Sequence, residues 1–233
     1  MKIISVIGSG TMGNGIAHSF ALAGFQVNLI DISEENLKKA LQTIVTNLDR
    51  QLVKESITRA QRDSALKNIE IFTDTLKAVK NSDLIIEAAT ENTEIKLNIF
   101  KDLDSWCKPD AILATNTSSI SISKIASVTK RADRVIGMHF MNPVPLMKLI
   151  EVIRGYSTSD EVTETIMKLA LKLDKIPVEV NDYPGFIANR ILMPMINEAI
   201  HSLYEGVAGV QEIDSVMKLG MAHPMGPLQL ADF

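Results

Sequence analysis

The chain has 233 residues, 46% hydrophobic and 22% charged, which suits one large globular domain or a medium domain with a small companion. A net charge of −4 and the lack of a Lys/Arg cluster give no support to a nucleic-acid partner, so an anionic ligand must be met by local donors. One cysteine, Cys107, excludes an internal disulfide and a CxxC metal or redox motif, and is compatible with the cytoplasm.

The first apolar run, Ile3–Ile7, reads as a strand and leads into "VIGSGTMGNG". From Ile3 to Ile30 there is no formal charge, and "ALAG" at 21–24 resembles a signal-peptidase site. Glycines at 8, 10, 13, 15 and 24 break every long apolar stretch, so neither a secretion signal nor a membrane span is expected. Gly8, Gly10 and Gly13 instead stand in G-x-G-x-x-G spacing between a strand and a helix. In that pattern the first glycine permits a tight turn and the second lets the backbone approach a pyrophosphate. The third lets helix and sheet pack closely. The helix N-terminus, at Thr11 and Met12, then offers N–H groups and a favourable dipole to the anion. A second strand, Gln26–Ile30, ends at Asp31, which can accept hydrogen bonds from both hydroxyls of a ribose. The bland alternative for Asp31 is a helix N-cap, although Ser33 could cap equally well. Asp31 would repel a 2′-phosphate and no arginine follows it, so NAD is favoured over NADP.

Leu37, Leu41, Ile44, Leu48 and Leu52 recur at spacings of three and four and predict an amphipathic helix over 34–55. Strands are expected at Ile69–Phe72, Leu84–Ala89, Ala111–Thr115, Val135–Phe140, Lys148–Ile153 and Pro177–Val180. Ile95, Ile99, Leu103 and Trp106 mark another helix, and Val162, Ile166, Leu169 and Leu173 a third. Short apolar runs alternating with helical text predict a doubly wound, Rossmann-type α/β domain over 1–182. At Tyr183-Pro184-Gly185 the style changes. Pro184 can occupy a first helical turn, and an apolar helix pattern follows, so 183–233 reads as a small helical domain.

Among four histidines, His18, His201 and His223 read as structural, whereas His139 falls at the carboxyl end of a strand, where open α/β sheets place their chemistry. Glu151 interrupts the apolar run Leu149-Ile150-Glu151-Val152-Ile153. A buried carboxylate there is expensive unless paired. It either points to water from an edge strand or orients His139 as a catalytic base. "ATNTSSISIS", residues 114–123, places Asn116 and Ser118 in a polar cluster that can hold a substrate oxygen or serve as an ordinary turn and cap. Asn189 interrupts the apolar face after Pro184. Asn47, Arg50 and Lys54 share one face of the 34–55 helix, which by spacing alone is a solvated charged face.

"VIGSGTMGNGIA", "LIIEAATEN", "NTSSISI", "GMHFMNPVPLMKLIEVI", "PGFIANRI" and "HPMGP", in this order, closely resemble the 3-hydroxyacyl-CoA dehydrogenases, and most of all the bacterial short-chain members. The resemblance spans essentially the whole chain. It implies NAD-dependent oxidation of an L-3-hydroxyacyl-CoA to the ketone, or the reverse. It further implies His139 as general acid/base with Glu151 as partner, and Ser118 and Asn189 beside the substrate oxygen. Asn142, Glu91, Lys96, Asn116 and Ser118 would line the cofactor site, and Lys54, with Asn47 on its helix face, would meet the coenzyme A phosphates.

Members of that family usually run several dozen residues beyond the equivalent of Phe233 and carry a late basic, glycine-containing segment. A helical domain of about fifty residues buries little surface alone, which leaves its long apolar helix partly exposed or in need of a partner chain; the resemblance, whose members associate through this domain, implies a homodimer or higher oligomer. Competing expectations are a dehydrogenase of a free hydroxy or sugar acid, and a catalytically impaired dinucleotide-binding relative. No membrane partner is expected.

Overall fold

The computed structural model describes residues 1–232 and divides into two compact units, Met1–Tyr183 and Pro184 onward. The first unit opens with β1 (Ile3–Ile7), α1 (Thr11–Leu22), β2 (Gln26–Ile30), α2 (Glu34–Val53), α3 (Arg59–Lys67) and β3 (Ile69–Phe72). It continues with α4 (Thr75–Val79), β4 (Leu84–Glu87), α5 (Thr93–Trp106), β5 (Ile112–Thr115), α6 (Ile122–Ala126) and β6 (Val135–Phe140). It ends with β7 (Leu149–Arg154), α7 (Asp160–Lys172) and β8 (Ile176–Asn181). The strands form one sheet in the order β3-β2-β1-β4-β5-β6-β7-β8. The order reverses between β1 and β4, which is the crevice where such sheets bind ligands.

Alternation along the strands sets the two layers. Ile4 and Val6 of β1 pack with Ile16 and Phe20 of α1, Leu37, Ile44 and Leu48 of α2, and Val162 and Ile166 of α7. Ser5 points the other way, and its hydroxyl reaches the Ala78 carbonyl of α4 at 3.2 Å. Glu87 of β4 likewise meets Lys96 of α5. Helices α4 and α5 therefore cover the second face.

One connection departs from the parallel pattern of the other strands. β6 and β7 pair antiparallel, with His139 opposite Glu151. The loop 141–148 between them is shorter than the dozen or so residues that a crossover needs, so the chain must fold straight back. β8 then runs parallel to β7 and forms the sheet edge, where Pro177 is tolerated because it need not donate to a neighbour.

Several boundaries differ from expectation. The second helix stops at Val53, with Lys54 as its C-cap, and Ser33 rather than Asp31 is its N-cap, accepting from Asn36 N at 3.2 Å. β4 ends at Glu87 because the chain turns over the glycine loop there: a Cβ on Gly8 would lie 2.6 Å from the Ala88 carbonyl oxygen. Helices α3, α4 and α6 had no apolar stripe to announce them. α3 buries only Ala65 and is held by a capping box between Thr58 and Gln61.

In the second unit, α8 (Ala188–Tyr204) leads to α9 (Val210–Ser215) and α10 (Pro227–Ala231). Pro184 does not open α8. It lies in a preceding turn in which Gly185 has φ +79°, and the proline within α8 is Pro194. Asp214 closes this unit by accepting from Leu228 N and Gln229 N, both at 2.9 Å.

Asp83, at the start of β4, anchors the chain start by accepting from the backbone N–H of Lys2 and Ile3 and from Lys108 Nζ. Partial burial pushes this carboxyl up, but Lys108 and the two N–H groups outweigh it and hold the pKa at about 2 against an ordinary 3.8. The stabilisation is thus present above pH 3.8 and is lost as the pH falls towards about 2. Asp83→Asn should lower the melting temperature by about 2–4 °C near neutral pH, the scale of a ~1 kcal/mol loss in a domain of this size. The gap between variant and parent should close on acidification through that window, as differential scanning calorimetry would show.

Candidate active site

Every functional segment of the first unit lies at the carboxyl edge of the parallel strands. The glycine loop follows β1, Asp31 follows β2, Glu91 follows β4, Asn116–Ser118 follow β5, and His139 is the penultimate residue of β6.

The glycine loop is built by close contact. Gly8 has φ +94°, and a Cβ on Gly13 would sit 1.7 Å from the Gly8 carbonyl oxygen, so helix and loop touch backbone to backbone. A Cβ on Gly10, the N-cap of α1, would meet nothing within 4 Å. The open space sits at the helix N-terminus, where N–H groups and the dipole favour an anion. Thr11 is exposed and Met12 half-buried beside it.

Asp31 is fixed by the loop it faces. Its Oδ2 accepts from Ser9 N at 2.9 Å and Ser9 Oγ at 2.7 Å, and its Oδ1 from Ser33 N at 3.0 Å. Burial alone would raise its pKa, but the hydrogen bonds from Ser33 and Ser9 win and hold it below the usual carboxylate range. A cleft of about 550 Å³ opens here, lined by Gly8, Gly10, Asp31 and Ile32 on one side and by Ile95, Ile99 and Trp106 on the other. The stripe that marks α5 in sequence thus faces a ligand cleft as well as the core. A glycine cradle, a charged acceptor beside it and an apolar wall fit a dinucleotide's pyrophosphate, ribose and flat base.

Glu151 does not point to water. It is 2% exposed on a strand flanked by β6 and β8, and its Oε2 lies 2.7 Å from His139 Nδ1. Residues directly opposite across an antiparallel pair present their side chains to the same face, so register alone brings imidazole and carboxylate together. An ionised carboxylate only accepts, which puts the neutral ring's proton on Nδ1 and leaves Nε2 as the basic nitrogen.

Between the glycine loop and His139 lies a second buried polar group. Glu87 and Lys96 are 0% and 1% exposed and form an ion pair, with Thr115 Oγ1 donating to Glu87 Oε2 at 3.0 Å. Lys96 is therefore enclosed, with its ammonium 3.8 Å from Glu91 Oε2. Ser118 N donates to Glu91 Oε1 at 2.7 Å, and Asn116 Oδ1 accepts from Phe140 N at 2.9 Å, tying the β5 turn to the end of β6. Asn142 is exposed in the loop that follows. Asn47, Arg50 and Lys54 run down the C-terminal half of α2, Asn47 half-buried and the two cations exposed. Asn189 belongs to the second unit, as the second residue of α8.

The remaining histidines carry no such geometry. His18 is buried, its Nε2 3.0 Å from Gln51 Oε1, and burial pushes its pKa down, so it is a packed neutral side chain. His201 is exposed on α8. Sequence reasoning missed Ser9, Glu87 and Thr115, whose partners are far away in the chain.

Residues 3–183 match the 3-hydroxyacyl-CoA dehydrogenase NAD-binding domain, and residues 185–233 match the 3-hydroxyacyl-CoA dehydrogenase C-terminal domain. The chain belongs to the 3-hydroxyacyl-CoA dehydrogenase family. It is accordingly an NAD-dependent oxidoreductase, and the cradle described above agrees with that cofactor. The 3-hydroxybutyryl-CoA dehydrogenase of Bradyrhizobium diazoefficiens is 52% identical over all of this chain and 79% of its own length. That of Clostridioides difficile is 49% identical over 98% of this chain and 81% of its own. The crystal structure of the Ralstonia eutropha (S)-3-hydroxybutyryl-CoA dehydrogenase, 49% identical, superposes with a TM-score of 0.97 over 100% of this chain and 82% of that one. No helix among the described residues is long and apolar enough to cross a membrane.

Two glycines separate folding from binding. Gly13→Ala should cost about 3 kcal/mol by overpacking and lower the melting temperature. Gly10→Ala should leave melting unchanged and weaken NADH binding about tenfold or more, measured by nicotinamide fluorescence. An equal loss of stability in both would contradict this account of the loop.

Proposed function

We propose that the protein interconverts short-chain L-3-hydroxyacyl-CoA and 3-ketoacyl-CoA thioesters, with 3-hydroxybutyryl-CoA and acetoacetyl-CoA as the pair. The observation that carries this is the buried His139–Glu151 pair, held in strand register at the same sheet edge as the glycine loop. The high identity to short-chain relatives supports the choice of chain length.

His139 Nε2 takes the proton of the substrate's 3-hydroxyl. The imidazolium so formed lies against the Glu151 carboxylate, whose buried charge it compensates. NAD, held by the glycine loop and Asp31, would supply the acceptor for the hydride of carbon 3. In the reverse direction the same nitrogen returns the proton to the ketone oxygen. Ser118 hydrogen-bonds that oxygen and fixes the reacting carbon. Gly10, Thr11 and Met12 meet the pyrophosphate on the loop that Gly8 and Gly13 shape, and Asp31 meets the ribose, with Asn116, Asn142, Glu91 and Lys96 completing the cofactor's surroundings. Lys54 and Asn47 on α2 meet the coenzyme A phosphates, a reading supported by the exposed cations of Arg50 and Lys54 on that face of the helix.

The second unit serves as the contact between copies in a homodimer or larger oligomer. Ile191, Met193, Ile200 and Tyr204 of α8 are exposed, which is more apolar surface than a lone helix normally shows to water. A cytoplasmic setting suits the single Cys107, buried and with its thiol pushed up to about 11 by that burial.

Purified protein with NADH should consume acetoacetyl-CoA at least about 100-fold faster than free acetoacetate, because binding energy from the coenzyme A moiety is used at the reacting carbon. Comparable rates on the two would favour a free hydroxy acid as substrate. Lys54→Ala should raise KM for acetoacetyl-CoA about fivefold, with kcat unchanged and the effect shrinking at high salt.

A further inference from the structure

The turn after β5 must place Ser118. Each backbone N–H of the turn needs an acceptor. Thr117 N uses Thr115 Oγ1 at 3.2 Å, and Ser119 N and Ile120 N use Thr117 Oγ1 at 3.3 and 3.0 Å. Those acceptors are local. Ser118 N instead donates to Glu91 Oε1 at 2.7 Å, across 27 residues of chain.

The same carboxylate also accepts from the Thr117 hydroxyl, at 2.9 Å on Oε2 and 3.0 Å on Oε1. One side chain thus grips two successive residues of the turn, and an ionised acceptor makes these bonds stronger than neutral ones. Glu91 is itself held. Lys96 Nζ lies 3.8 Å from its Oε2, and Lys96 is enclosed by Glu87 and by Thr115 Oγ1, the latter at 3.3 Å. Glu87 Oε1 in turn accepts from Ala89 N at 2.9 Å, fixing the segment that carries Glu91. The buried pair is thus an anchor from which Glu91 reaches the turn.

We infer that Glu91 is a positioning residue for Ser118, acting on the substrate oxygen through the Ser118 backbone. The inference rests on the assignment of Ser118 under the proposed function. Its effect belongs to the chemical step: Glu91 locates the hydroxyl that meets the reacting oxygen, and a displacement of about 1 Å at such a group can cost about 100-fold in rate.

A double-mutant cycle tests it. Glu91→Ala should lower kcat with acetoacetyl-CoA, measured at saturating NADH, by about 100-fold, a loss that further NADH does not recover although Glu91 also borders the cofactor. Glu91→Gln keeps an acceptor for Ser118 N and should recover kcat to within about tenfold of the parent. In a Ser118→Ala background, removing Glu91 should cost almost nothing further, because the group it positions is gone. Glu91→Leu, similar in volume and without an acceptor, repeats the cycle if the alanine variant melts below the assay temperature. Multiplicative losses in the double variant, or weakened NADH binding with kcat intact, would overturn the inference. Full kcat in Ser118→Ala alone would instead overturn the assignment of Ser118, a result distinguishable from both.

Discussion

A single reversal of direction organises the chemistry of this protein. Six strands, β3 to β6 in spatial order, run parallel and deliver their carboxyl ends to one edge, but β7 folds back against β6. Had β7 joined through a crossover helix, Glu151 would enter the sheet from the opposite end and would not face His139 in this register. The short return fixes the two residues opposite one another, and strand geometry holds the pair more tightly than a loop could. The fold accepts a buried carboxylate because the imidazole satisfies it. The imidazole obtains from the carboxylate its tautomer and a neighbour for the charge it acquires.

The remaining polar groups of that face follow the same logic. Glu87, Thr115, His139 and Glu151 all project from the α5 side of the sheet and all are buried. Each is paired with another side chain within the layer, as a low-dielectric interior requires. The pairing of Glu87 with Lys96 leads out through Glu91 to the β5 turn, while Asn116 clips that turn to Phe140 beside His139. Cofactor cleft, turn and dyad are therefore joined by direct side-chain bonds and do not rest on sheet packing alone.

Much of this layout is legible in sequence, for identifiable reasons. Buried strands of a parallel sheet read as apolar runs, and the G-x-G-x-x-G spacing with its following Asp31 reports backbone contacts that only glycine permits. What escapes is mostly what depends on distant pairing. The antiparallel entry of β7 leaves no mark in an apolar run, although the shortness of 141–148 is a usable signal. The apolar residues of α5 divide between core and cleft, and periodicity registers only that they share a side. Helix α3 buries only Ala65 fully, too little for an apolar stripe, and it is held by its capping box. The roles of Ser118, Asn189 and Lys54 came from family likeness, because small polar residues in a turn and charges on a helix are common without function.

The most direct test of the dyad is the single-turnover rate of NADH oxidation by acetoacetyl-CoA, followed by stopped flow in the parent, Glu151→Gln, His139→Gln and the double variant. The account predicts that both single variants lose about 100-fold or more, the usual contribution of a positioned acid/base, while still binding NADH. It also predicts that the double variant is no slower than His139→Gln alone, since Glu151 acts through the imidazole. A His139→Gln protein that turned over at the parent rate would contradict it.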